Sequence, residues 1–168
     1  MQQILKSHFQ KAGIDIGQGQ YHEEVIYGNA LVYTAMYNVI GTYLKKYHLT
    51  PEEMNALMII KHQGKAKGLA QVDIGRRLMV NAHNMTRLLQ RLEKQGLIER
   101  KGHKKDGRVT LVRIANKGSK LLDQVWPGYD ARVRSSVQGL SPKEQKTLSY
   151  LLQKWLGTLV NKTKLNLG

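Results

Sequence analysis

Between Ala82 and Arg91 the chain gathers His83, Asn84, Thr86, Arg87, Gln90 and Arg91. Imidazole, amide, hydroxyl and guanidinium groups share one chemistry, hydrogen bonding to base edges and phosphate oxygens, and arginine can do so as a bidentate fork. A second cluster follows: Lys101, His103, Lys104, Lys105, Asp106 and Arg108, spaced by Gly102 and Gly107. Lysines suit phosphates as point charges, and Asp106 stands two residues from Arg108, where it can orient the guanidinium. Catalysis has no comparable support. The stretch Gly64-Lys65-Ala66-Lys67-Gly68 lacks the spacing and the Lys-Ser/Thr ending of a phosphate loop, and neither H-E-x-x-H nor G-x-S-x-G occurs. Cysteine is absent, which excludes disulfides, thiol nucleophiles and Cys-ligated metals. The six histidines, at 8, 22, 48, 62, 83 and 103, show no close metal-ligand pairing. The chain reads as a non-enzyme that needs no metal and no cofactor.

The elements that must position these groups are legible around them. Met85, Leu88, Leu89 and Leu92 stand at i, i+3, i+4 and i+7, the buried stripe of a helix, with Asn81 as its cap. At 100° per residue the opposite face carries His83, Arg87, Gln90 and Lys94, with Asn84, Thr86 and Arg91 along its margins. Leu69, Val72, Ile74 and Leu78 mark a preceding short helix with one apolar edge, joined through Met79-Val80, so the pair forms a helix-turn-helix. Gly96 ends the second helix, and Leu97–Arg100 and Val109–Ile114 read as two strands of a hairpin whose tip is the second basic cluster. Helix, helix, strand, basic loop, strand is the order of a winged helix.

Charge points the same way. The 168 residues carry 27 Lys plus Arg against 12 Asp plus Glu, a formal +15. Of this, +10 falls between Lys61 and Arg113, which favours polyanionic partners; a merely solvated face is the alternative for any single charge.

The flanks are helical. Val25 to Leu44 is a run of 20 residues without a charge, but Asn29, Asn38, Thr34, Thr42 and several tyrosines make mid-bilayer placement costly, so no membrane partner is expected. Residues 21–47 read as a dimerisation helix covered by a second copy, the alternative being a central core helix. Thr50-Pro51-Glu52-Glu53 and Ser141-Pro142-Lys143-Glu144 are capping boxes that open two more helices. The second of these carries Leu148, Leu151, Leu152, Trp155 and Leu159 at helical spacing, and Pro127-Gly128 should bend or interrupt the stretch before it. The expected domains are an N-terminal arm over 1–20, which includes a short helix from Gln2 to Lys11, a helical dimerisation region over 21–48 and 116–168, and a DNA-binding winged lobe over 49–115. The class is mainly α with a small β-hairpin wing (α+β). The polar start MQQILKSHFQ shows no secretory signal, so a cytoplasmic location is expected.

The run from Leu69 to Gly118 resembles the DNA-binding core of MarR-family bacterial transcription regulators. It carries their Thr86-Arg87 pair, the Leu-Glu-x-x-Gly-Leu-Ile-x-Arg joint over 92–100 and the Asp-x-Arg wing at 106–108. The likeness covers about residues 21–160 and leaves the arm outside. Met79, Gly75 and Asn116 depart from the family's usual residues without removing a DNA-facing group. The resemblance implies a homodimer with interlocking terminal helices and a recognition helix in each major groove. Ala82, His83, Asn84, Thr86, Arg87, Gln90 and Arg91 would lie at the base edges. Asp106 would brace a wing whose Arg108 enters the minor groove. It also implies sequence-specific binding of double-stranded DNA, with repression as the expected outcome and a small aromatic or anionic effector as a further partner. Tyr27, Tyr33, Tyr37 and His62 are the candidates for that effector pocket, with plain packing of a dimer interface as the alternative for the tyrosines. The rival from another class is a basic architectural or RNA-binding protein without operator specificity.

Overall fold

Thr50 starts a helix as its residue type predicts. The Glu53 amide donates to Thr50 Oγ1 at 3.2 Å, the Thr50 amide donates back to Glu53 Oε2 at 2.9 Å, and Pro51 occupies the first turn, where its missing N–H costs nothing. The computed structural model describes residues 8–14, 17, 19, 21–64, 67–78, 82–102 and 109–163. Its elements are α1 (Tyr21–Leu44), a 3-10 turn (Lys45–Tyr47), α2 (Pro51–Gln63), β1 (Leu69–Ala70), α3 (Gln71–Leu78), α4 (Ala82–Lys94), β2 (Ile98–Gly102), β3 (Thr110–Ile114), α5 (Asn116–Ser136) and α6 (Pro142–Thr163). The fold is mainly helical with one small antiparallel sheet, as expected.

That sheet has three strands in the order β1-β3-β2, one more than the expected hairpin. Arg100 pairs with Val112, and on the other edge of β3 Val112 pairs with Leu69. Leu69 therefore belongs to a strand and not to the helix edge that its hydrophobicity suggested. Val72, placed on the same edge, is 58% exposed, and the buried side of α3 is Ile74 and Gly75. A positive φ at Gly68 turns the chain so that two residues reach the free edge of β3, too short a pairing to leave a periodic signal.

The core lies within the winged lobe and is closed by the end of α1 and the first half of α5. Ile40, Tyr43 and Leu44 come from α1, Met54, Leu57 and Ile60 from α2, Ile74 from α3, Met85, Leu88, Leu89 and Leu92 from α4, and Leu122 and Val125 from α5. Each such side chain contributes about 1.5–3 kcal/mol on burial.

Pro127 does not interrupt its helix, because α5 runs unbroken through it. A proline removes one donor, and the Gly128 beside it lets α1 approach closely enough that a Cβ there would overlap the Tyr43 hydroxyl. That hydroxyl donates to the Val125 carbonyl at 2.9 Å, while Arg132 stands 4.0 Å from the Tyr43 ring centroid. Burial, then the contact with Tyr47, raises the Tyr43 pKa, and the same contact lowers that of Tyr47.

The terminal helices behave differently. In α1 the buried residues are Gly28, Ile40, Tyr43 and Leu44, so its C-terminal end joins the protomer's core while most of its length stays exposed. Val25, Ile26, Leu31, Val32, Tyr33 and Met36 are all exposed, and no described side chain of α6 is buried. The described part of the arm folds onto its own α1. Phe9 packs on Gly28 and the Gly17 amide donates to Glu24 Oε1 at 3.1 Å; the expected helix from Gln2 lies partly outside the described residues. Among the described residues, no helix is long and apolar enough to cross a membrane.

Candidate nucleic-acid interface

Helix α4 presents the two faces its sequence encodes. Met85 is 1% exposed, Leu88 5%, and Leu89 and Leu92 are fully buried, whereas His83, Asn84, Arg87, Gln90 and Lys94 are exposed. No acidic side chain lies in its first turn, so the helix's own side chains there leave its positive end uncompensated. At the other end the Gly96 amide donates to the Glu93 carbonyl at 2.8 Å and the Leu97 amide to the Leu92 carbonyl at 2.9 Å, a Schellman stop with Gly96 in the left-handed region. The lobe thus offers an exposed row of imidazole, amide, guanidinium and ammonium groups on a helix anchored by its leucines.

Polar ties set how that helix sits. Gln71 Nε2, at the start of α3, donates to Thr86 Oγ1 at 3.0 Å, and Gln71 Oε1 accepts from Arg100 Nη2 at 3.4 Å. Arg100 Nη1 also reaches Glu93 Oε2 at 3.4 Å, so one arginine on β2 touches groups belonging to both helices of the turn. Its Nε is buried and has no partner among the described residues. Arg91 Nε lies 3.1 Å from Glu53 Oε1 in an ion pair, which turns one of the expected base-facing residues toward α2.

The candidate residues therefore divide. His83, Asn84, Arg87 and Gln90 stand together on one exposed face, Thr86 is half-buried against α3, and Arg91 is ion-paired. Ala82 opens α4. Lys101 is exposed near the end of β2, and His103, Lys104, Lys105, Asp106, Arg108 and the Asn81 cap lie outside the described residues. Reading α3 only for its apolar edge missed Gln71, Arg76 and Arg77. Both arginines are exposed on the helix that crosses the phosphate backbone in a helix-turn-helix, tied to Asp73 by a 3.3 Å ion pair from Arg76 and a 3.0 Å bond from Arg77 to the carbonyl. Two adjacent arginines in the last turn were the available signal.

The four effector candidates are not brought to one place. Tyr27 and Tyr33 are 55% and 64% exposed on α1, and the Tyr33 and Tyr37 ring centroids are 6.0 Å apart. Burial, then a 3.3 Å hydrogen bond to Glu52 Oε2, raises the Tyr37 pKa above its ordinary value. His62 instead lines a cavity of about 330 Å³ between α2 and α5, with Met58, Lys61, Leu122, Asp123 and Trp126. Lys61 is held there by Asp123 at 2.6 Å. Among the described residues no group of three or more His, Asp or Glu side chains could hold a metal ion.

The MarR family model matches residues 47–109. An uncharacterized HTH-type transcriptional regulator of Bacillus subtilis, YkoM, is 34% identical over 110 residues, 66% of this chain and 70% of its own length. The multiple antibiotic resistance protein MarR of Salmonella typhimurium is 30% identical over 120 residues, covering 70% of this chain and 81% of that protein. Among solved structures, a cysteine-to-serine variant of E. coli MarR complexed with operator DNA superposes with a TM-score of 0.70 at 25% identity, over 83% of this chain and 99% of that one. S. aureus MepR, in a DNA complex, superposes with a TM-score of 0.73 at 24% identity, over 79% of this chain and 96% of that one, a likeness of fold. Fold, exposed α4 face and sequence relatives agree: this chain belongs to the MarR family of winged helix-turn-helix, DNA-binding transcription regulators, which are not enzymes.

Proposed function

We propose that the protein is a homodimeric, sequence-specific regulator, acting as a repressor in the cytoplasm, that binds a pseudo-palindromic double-stranded operator. Each α4 enters a major groove with His83, Asn84, Arg87 and Gln90 at the base edges. Arg76, Arg77, Lys94, Lys101 and the basic residues between 103 and 108 serve the phosphates and the minor groove. The observation that carries this reading is the exposed polar face of α4 opposite a fully buried leucine stripe. Dimerisation is supported by the exposed apolar residues of α1 and α6, which one protomer leaves uncovered. The DNA complex of the E. coli relative supports the duplex partner. Release by a small aromatic or anionic effector belongs to the same reading and would use Tyr27, Tyr33 or Tyr37 on the face that a second copy covers.

Selection of bound duplexes from a random pool, followed by titration at several salt concentrations, tests it. The expected result is an enriched palindrome with half-site centres about one helical turn, ~10 bp, apart and affinity that falls steeply with salt. Equal, wholly salt-sensitive binding to every duplex and to RNA would replace this reading with the architectural one.

A further inference from the structure

Glu53 is the buried charged residue among those described, 3% exposed, and a carboxylate in that position must have its oxygens satisfied. Oε2 accepts from the Thr50 amide at 2.9 Å within the capping box, and the positive end of α2 favours the charge. Oε1 forms an ion pair with Arg91, whose Nε stands 3.1 Å away. The arginine comes from α4, where it lies at the margin of the buried stripe, 60° around the helix from Leu88 by the 100° rule. Its side chain is 60% exposed, so burial does not force it onto Glu53.

We propose that Glu53 is a positioning residue for the recognition helix, acting through Arg91, and that Arg91 serves this latch and not the nucleic acid. The proposal rests on the reading of α4 as the base-reading helix. Two ties then hold α4 against rolling about its axis: Gln71 to Thr86 in its first half and Glu53 to Arg91 in its second. With side-chain tips about 5–6 Å from a helix axis, a roll of about 20° moves them by ~2 Å, enough to break a base-edge hydrogen bond. The close-packed leucine stripe opposes large rotations, and the two polar ties add directional restraint on the side of α4 that carries the exposed row. The geometry thus gives α2, an element with no other assigned role in recognition, control over where Arg87 and Gln90 point.

The test uses the full chain with Arg91→Ala, Glu53→Gln and both together. Affinity is measured for the selected operator and for a random duplex across a salt series, and amide hydrogen exchange of α4 is measured without DNA. Each single variant is expected to lose about tenfold on the operator, the size of one mismatched base pair, with the random duplex and its salt slope unchanged. The double variant should match the singles, and α4 exchange should rise in all three. If Arg91→Ala weakens both duplexes alike and lowers the salt slope by about one while Glu53→Gln matches wild type, Arg91 is a phosphate contact and the proposal fails. A thermal melt checks the fold, and should Glu53→Gln fail to fold, the exposed Arg91→Ala variant decides alone. Should wild type bind all duplexes equally, the reading of α4 fails, while unchanged α4 exchange in the variants overturns the latch independently.

Discussion

Gln71 Nε2 donates to Thr86 Oγ1 across 3.0 Å, so the residue that opens α3 is tied directly to a hydroxyl on α4. The same amide accepts from Arg100 on β2 at 3.4 Å, which brings the sheet into the contact. Gln71→Ala should therefore cost about 1 kcal/mol of operator affinity, the typical worth of one such bond, while Gln71→Met, of similar length but without the amide donor, should cost about as much. A gel-shift titration of each variant checks this.

Arg87 and Lys94 separate reading from holding, since both are exposed on α4 but only the guanidinium can form a bidentate pair with guanine. Arg87→Ala should lose about 1–3 kcal/mol on the operator and blur its sequence preference. Lys94→Ala should weaken operator and random duplex together and leave their ratio unchanged. An Arg87→Ala variant with an unaltered ratio and a normal circular dichroism melt would refute the docking face.

Leu151 on α6 is 51% exposed and Val32 on α1 is 59% exposed, side chains that water should not have to cover in the assembled protein. Leu151→Glu or Val32→Glu would bury a charge in a dimer interface at a cost of several kcal/mol, so sedimentation at micromolar concentration should show monomers. Loss of operator binding should follow, because two half-sites are then no longer engaged together.

Gly128→Ala places a Cβ on the Tyr43 hydroxyl, and overpacking at such a site costs about 1–3 kcal/mol. For a chain of this size a loss of 1 kcal/mol lowers the melting temperature by about 2–4 °C, which differential scanning calorimetry resolves.

Acid should loosen the start of α6. Hydrogen bonds from the Ser141 hydroxyl and amide hold the Glu144 carboxyl below its ordinary 4.5, so its capping is fully present above that value and is lost as pH falls through the lowered one. Protection factors of the first α6 amides, taken relative to intrinsic exchange at each pH, should fall across that window in wild type, and Ser141→Ala should show the reduced protection already at neutral pH.

Local order in this protein is written locally. The capping boxes at Thr50 and Ser141, the stripe Met85, Leu88, Leu89, Leu92, the stop at Gly96 and the strands that follow each depend on residues within a few positions of one another, so spacing and side-chain type suffice to place them. The exposed face of α4 was legible for the same reason: once the stripe is buried, helix geometry assigns the opposite side. Contacts between distant residues were not. That Leu69 joins a strand, that α5 runs through Pro127, and that Arg91 and Thr86 are turned toward Glu53 and Gln71 depend on how helices cross and how close backbones come. Periodicity carries no information about crossing angles, so only the tertiary structure could decide which polar side chains of α4 face outward and which contact α2 and α3.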